Sequence, residues 1–77
     1  MAYNNRALIY KAIHDNTKAL QDLNYLLAKD PDFASALLIR AEIYIEQHDF
    51  KNACVDLHMA YKGGIAKAGI LIDKNCR

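Results

Sequence analysis

The sequence predicts an all-α chain of stacked helical hairpins, and three observations predict it. The chain matches itself when Ala2 is laid on Ala36, its apolar and alanine residues recur at helical spacing, and turn-forming residues fall at equivalent points of each copy. In that register Arg6 pairs with Arg40, Ala7 with Ala41, Ile9 with Ile43 and Tyr10 with Tyr44. The identities continue through His14 and His48, Asp15 and Asp49, Ala19 and Ala53, Asp22 and Asp56, and Leu23 and Leu57. A third copy begins, with Ala68, Leu71, Ile72 and Lys74 set against Ala34, Leu37, Leu38 and Arg40. The expected division is one domain over 1–77: repeat one 1–33, repeat two 34–64, and a capping or partial third helix 65–77.

Each element follows from local chemistry. Tyr3, Ala7, Tyr10 and Ala12 recur at helical spacing, so a first helix is expected over 2–13. His14 then falls just past its end, where a left-handed backbone suits His better than most residues. Asp15 can cap the next helix by accepting from its free N–H groups. That helix, 16–29, should bury Ala19, Leu23, Leu26 and Leu27. Asp30-Pro31-Asp32 stops it and should start the third, because proline cannot continue a helix interior but fits a first turn. The third helix, 33–46, presents Phe33, Leu37, Ala41 and Tyr44. His48-Asp49 repeats the turn, and a fourth helix over 50–61 should pack with Phe50, Ala53, Leu57 and Ala60. Gly63-Gly64 ends it, and a last helix, 65–74, carries Ile65, Ala68, Leu71 and Ile72. Alanines at 7, 19, 41 and 53 let paired helices approach toward the short end of their packing range.

Bulk properties exclude several classes. The net charge is +1, from 10 basic and 9 acidic residues with no basic run, so nothing draws the chain to nucleic acid or an anionic membrane. No apolar stretch is long enough to span a bilayer, and the start lacks a signal peptide's pattern, so a cytoplasmic location is expected. Two cysteines do not make a disulfide framework. Cys54 reads as a small buried hydrophobe, and Cys76 lies in an expected frayed tail, able at most to form an adventitious bridge between molecules.

The pattern resembles the tetratricopeptide repeat family. Its motif positions are occupied by Tyr3, Ala7, Tyr10, Ala19, Leu23, Leu26 and Pro31 in the first copy. In the second they hold Leu37, Ala41, Tyr44, Ala53, Leu57 and Ala60, with Ile65 where the proline would stand. The resemblance covers about 1–62 strongly and 63–77 loosely. It implies a right-handed superhelix whose concave face, lined by the first helix of each repeat, binds a peptide or a partner helix. Carried over by position, the concave candidates are Asn4, Leu8, Lys11 and Ala12, then Ser35, Leu38, Glu42, Ile45 and Glu46. The family's clamp for a C-terminal carboxylate is absent, because its places hold Asn4, Leu8, Ile39, Gly69 and Asp73.

Candidate chemistry is sparse. Arg6 and Asp22 are spaced like Arg40 and Asp56, which predicts an arginine–carboxylate pair inside each hairpin. His14, His48 and His58 lack the spacing of a closed zinc site. Tyr10 and Tyr44 fall on the buried phase, and Tyr25 is the surface candidate among the tyrosines. Gly63-Gly64 lacks the lysine of a phosphate loop, and no nucleophile sits beside a base. The expected function is a protein-interaction module, not an enzyme, with no metal and no cofactor. Its partner is a protein or peptide, and the alternative is a structural or self-associating segment that forms a homo-oligomer.

Overall fold

A computed structural model describes residues 3–76, and within them the chain forms five helices. These are α1 (Tyr3–Ala12), α2 (Asn16–Lys29), α3 (Ala34–Glu46), α4 (Phe50–Lys62) and α5 (Ala66–Asn75). Ala2, included in the expected first helix, lies outside the described residues. Helices α1 and α2 pack as one antiparallel hairpin and α3 and α4 as another. Helix α3 also rests on α1 and α2, and α5 packs on α4.

Three helices end by the same device. After α1 the His14 N–H donates to the Lys11 carbonyl and the Asp15 N–H to the Tyr10 carbonyl, with His14 at φ 62°. After α3 the pattern recurs with His48 at φ 61°, its N–H on Ile45 and the Asp49 N–H on Tyr44. After α4 Gly64 takes φ 99°, with its N–H on Tyr61 and the Ile65 N–H on Ala60. These paired bonds satisfy carbonyls that a helix end otherwise leaves free, and they require a left-handed residue at the turn. Asp15 and Asp49 then open the next helix, their carboxylates accepting from the N–H groups of Lys18 and Asn52.

The exit from α2 differs from expectation. Pro31 sits in the turn rather than in the first turn of α3, which starts at Ala34 behind Phe33. Helix α5 also starts earlier than the repeat implies. Ala68, fully buried, is the third residue of α5 as Ala36 is of α3, whereas the register of the first two copies would put Ile70 there. The link 30–33 shortens to 63–65, which accounts for part of the shift, and α4 is also shorter than α2.

Ala7, Ala19, Ala41, Ala53, Ala60, Leu23 and Leu57 are fully buried, as their repeat phase requires. Other expected core residues are not: Leu26 on α2 is half-buried, Ala12 on α1 is exposed, and Phe50 at the start of α4 and Tyr3 on α1 are both 40% exposed. Phe50 instead lies edge-on to His48 across the turn, and Tyr3 meets Tyr25 at a centroid distance of 4.7 Å. Leu27 on α2, Ala36, Leu37, Ile39 and Ile43 on α3, and Ala68 on α5 complete the core.

The cysteines correct the sequence reading outright. Cys54 on α4 and Cys76 at the end of α5 form an intramolecular disulfide with Cα atoms 5.8 Å apart. Cys76 is not frayed: its N–H donates to Ile72 and closes α5. Ile65 marks the turn between two antiparallel helices, and Cys54 precedes it by as many positions as Cys76 follows it. That symmetry is the signal that brings the two together.

Candidate functional site

The concave candidates occupy one phase of α1 and one phase of α3, two helices in mutual contact. Leu8 is 44% exposed and Ala12 is exposed, while Asn4, Lys11, Ser35, Leu38, Glu42 and Ile45 are half-buried. Leu38 and Ile45 lean on the core, so only their outer surfaces are free.

Most polar candidates are engaged across elements. Asn4 Nδ2 donates to Ser35 Oγ at 3.3 Å, joining α1 to α3. Asn4 Oδ1 is buried with no partner, so this contact orients the two helices more than it stabilises them. Glu42 pairs with Lys67 of α5 at 3.0 Å. Glu46 accepts from His14 Nδ1 at 3.1 Å and from Asn16 Nδ2 at 3.5 Å, which ties the end of α3 to the first hairpin's turn. The His14 contact, followed by that from Asn16, holds the Glu46 carboxyl below its ordinary range. The face left for a ligand is therefore Leu8, Leu38 and Ile45, bordered by Lys11 and by groups already paired. It is an open surface, not an enclosed pocket.

Behind this face, the two arginine–carboxylate pairs expected from their matched spacing are both present. Arg6 Nε and Nη2 donate to Asp22 at 2.8 and 2.6 Å, and Arg40 Nε and Nη2 donate to Asp56 at 2.7 and 2.9 Å. Asp22 and Asp56 are buried. Two parallel charged hydrogen bonds offset the desolvation of each carboxylate. The bonds from Arg6 hold the Asp22 carboxyl below its ordinary range against that desolvation, and the guanidinium is raised in turn. Arg40 reaches further, with Nη1 donating to Asn24 of the first hairpin at 3.0 Å. Each guanidinium also lies over a tyrosine, Arg6 over Tyr3 and Tyr10 and Arg40 over Tyr44. Tyr10 and Tyr44 are half-buried accordingly, and Tyr25 is 46% exposed on α2.

Three shallow clefts indent the surface elsewhere. One involves Asp32, Met59, Lys62 and Gly63; a second lies where Asn24, Leu27, Pro31, Arg40 and Met59 meet; a third runs between α4 and α5 past Tyr61, Gly69 and Ile70. None is lined by a concave candidate. Among the described residues no group of three or more His, Cys, Asp or Glu side chains is placed to hold a metal ion. No helix among them is long and apolar enough to cross a membrane.

Several of these contacts are not legible in the sequence. The pairs Glu42–Lys67 and Glu46–His14 join residues of different repeats, and a self-match aligns positions without saying which of them touch. The periodicity of Ala36, Ile39 and Ile43 is legible, but their burial depends on what lies against α3.

The chain is 38% identical over 52 residues to the tetratricopeptide repeat and J domain-containing co-chaperone of Mycosarcoma maydis. The match covers 68% of this chain and 9% of that much longer protein. No family model matches the chain, and no solved structure matches it.

Proposed function

This chain is a tetratricopeptide-like region of paired helices, and from that premise we propose that it is a non-catalytic module binding a peptide or partner helix along the face shared by α1 and α3. The observation that carries the reading is the exposed Leu8 beside half-buried Leu38 and Ile45, on two helices locked side by side by Asn4–Ser35 and Glu46–His14. Apolar side chains held in fixed register offer anchor points to a ligand without an ordering cost to the receptor. Lys11 and the paired Glu42 and Glu46 border the strip with both signs of charge, which favours a mixed or amphipathic ligand over a purely acidic one. The relative's co-chaperone role is in keeping with a protein partner.

The Cys54–Cys76 bond bears on location. Disulfides persist in oxidising compartments, whereas the cytoplasmic expectation rests on the lack of a bilayer-spanning apolar stretch and of a leader pattern alone. We propose an oxidising compartment for the module.

The binding reading is tested with peptides selected from a random library against the full chain. Their affinity is then measured by calorimetry for the parent and for Leu38→Glu, with helical content checked by circular dichroism. A loss of tenfold or more at unchanged helicity is expected. Selected peptides that bind Leu38→Glu as tightly as the parent would place the site elsewhere.

A further inference from the structure

Helix α5 is fastened unequally at its two ends. At the end away from the turn 63–65, the Cys54–Cys76 bond fixes it to the first half of α4. At the turn end it begins behind Ile65 with no side-chain cap, whereas α2 and α4 begin behind the capping carboxylates of Asp15 and Asp49. The first turn of α5 is therefore held by the turns that follow it rather than by its own start. That first turn carries Lys67, whose ammonium lies 3.0 Å from Glu42 of α3, one of the candidates on the α1–α3 face. Glu42 is half-buried beside Leu38 and Ile45 of the same helix. Both cysteines are half-buried as well, so the core does not enclose the bond between them.

We propose that the Cys54–Cys76 bond is a redox lock that sets the charge of the α1–α3 face, a proposal that rests on that face being the binding surface. With the bond closed, α5 stays on α4 and Lys67 neutralises Glu42. An external dithiol opens it. One thiolate of the dithiol attacks a cysteine sulfur, forming a mixed disulfide and releasing the other cysteine as a thiolate, and its second thiol then displaces the first. Both cysteines end as thiols and the dithiol ends as its own disulfide, so the electrons and protons it gives up are those the chain gains. A 10-residue helix that is free at its far end and uncapped at its start loses its first turn readily, and Lys67 goes with it. Glu42 is then a carboxylate without its cation beside an apolar strip. Covering it with a neutral ligand is costly, and covering it with a cation is favourable. The closed form accepts a ligand uncharged at that point, and the open form selects one with a lysine or arginine there.

The test selects peptides from one random library against two forms of the full chain, the disulfide-bonded parent and Cys54→Ser with Cys76→Ser, which keeps the lock open. Calorimetry then gives the affinity of each peptide for both forms. Peptides from the open form are expected to carry an added lysine or arginine and to bind that form roughly tenfold or more tightly than the closed one. Glu42→Gln in the open form should abolish the preference. Lys67→Gln with the disulfide intact should bind the same peptides as the open form does, a result that does not depend on the serine variant staying folded. Equal affinities for the two forms, a preference that survives Glu42→Gln, or a Lys67→Gln chain that binds like the parent overturns the proposal. Leu38→Glu separates the two readings. Peptides weakened by it yet indifferent to the bond refute the lock alone, and peptides indifferent to it refute the binding face and the lock together.

Discussion

Arg6 and Arg40 each hold a buried aspartate by two short hydrogen bonds while their guanidinium groups lie over tyrosine rings. The arrangement joins the two helices of a hairpin at a point where the alanines alone supply little side-chain area. It also makes stability depend on pH in a definite direction. Asp22 has a folded pKa below its unfolded value of about 3.9. A depressed carboxyl contributes stability that is fully present above the unfolded pKa and is lost as pH falls through the lower folded value. Urea midpoints should therefore hold steady from pH 7 to about 5 and fall below about 4. Asp22→Asn should be less stable at pH 7 by about 2 kcal/mol, since it removes a charged hydrogen-bond partner. It should also lose less than the parent between pH 5 and pH 3, and equal losses would show that the pair does not carry the acid sensitivity. The pair is legible in the sequence, because the shared spacing of Arg6 to Asp22 and of Arg40 to Asp56 places both groups at matching heights of an antiparallel hairpin. The tyrosines over the guanidiniums are not, since a tyrosine's helical phase does not specify the height its ring reaches.

At the scale of elements, α5 has weak claims of its own. It is 10 residues long, a single alanine is its buried residue, and Ile70 faces solvent at 58% exposure. An isolated helix of that length is marginal in water. Three things keep it on α4: half-buried Ile65, Leu71 and Ile72 leaning on the core, the Tyr61 ring laid over Gly69, and the Cys54–Cys76 bond. A side chain at position 69 would meet that ring, its Cβ only 2.7 Å from the nearest ring carbon. Closing a loop with a sequence separation of 22 residues is worth about 3 kcal/mol in the chain-entropy model. Reduction, or Cys54→Ala with Cys76→Ala, should lower the unfolding free energy by about that amount. Proton exchange should accelerate first in α5 while α1 to α3 keep their protection. Unchanged exchange in α5 after reduction would mean that packing alone holds the helix. Cysteine number misleads in a chain of this kind, whereas cysteine placement about the Gly63-Gly64 turn is informative.

The molecule as a whole is a stack with unequal ends. Its radius of gyration, 11.4 Å, is that of a compact chain of its length, about 11.5 Å, so five helices are too few to lengthen into a visible superhelix. Helix α3 packs against α1, α2 and α4, whereas α1 packs against α2 and α3. Native-state amide exchange should accordingly be slowest in α3 and faster in α1, despite their matching sequences. An α1 protected as fully as α3 would show that the exposed side of α1 is covered in solution. This inequality separates what could be read residue by residue from what could not. Helix limits, the left-handed turns at His14 and His48, the caps at Asp15 and Asp49 and the alanine contacts all arise from interactions a few residues long or within one hairpin, so the order of residues specifies them. Burial at equivalent positions does not follow from identity: Ile9 and Ile43 are the same residue in the same phase, one half exposed and one fully hidden. That difference comes from which element lies alongside, and neighbours distant in the chain are chosen by packing of the assembled stack.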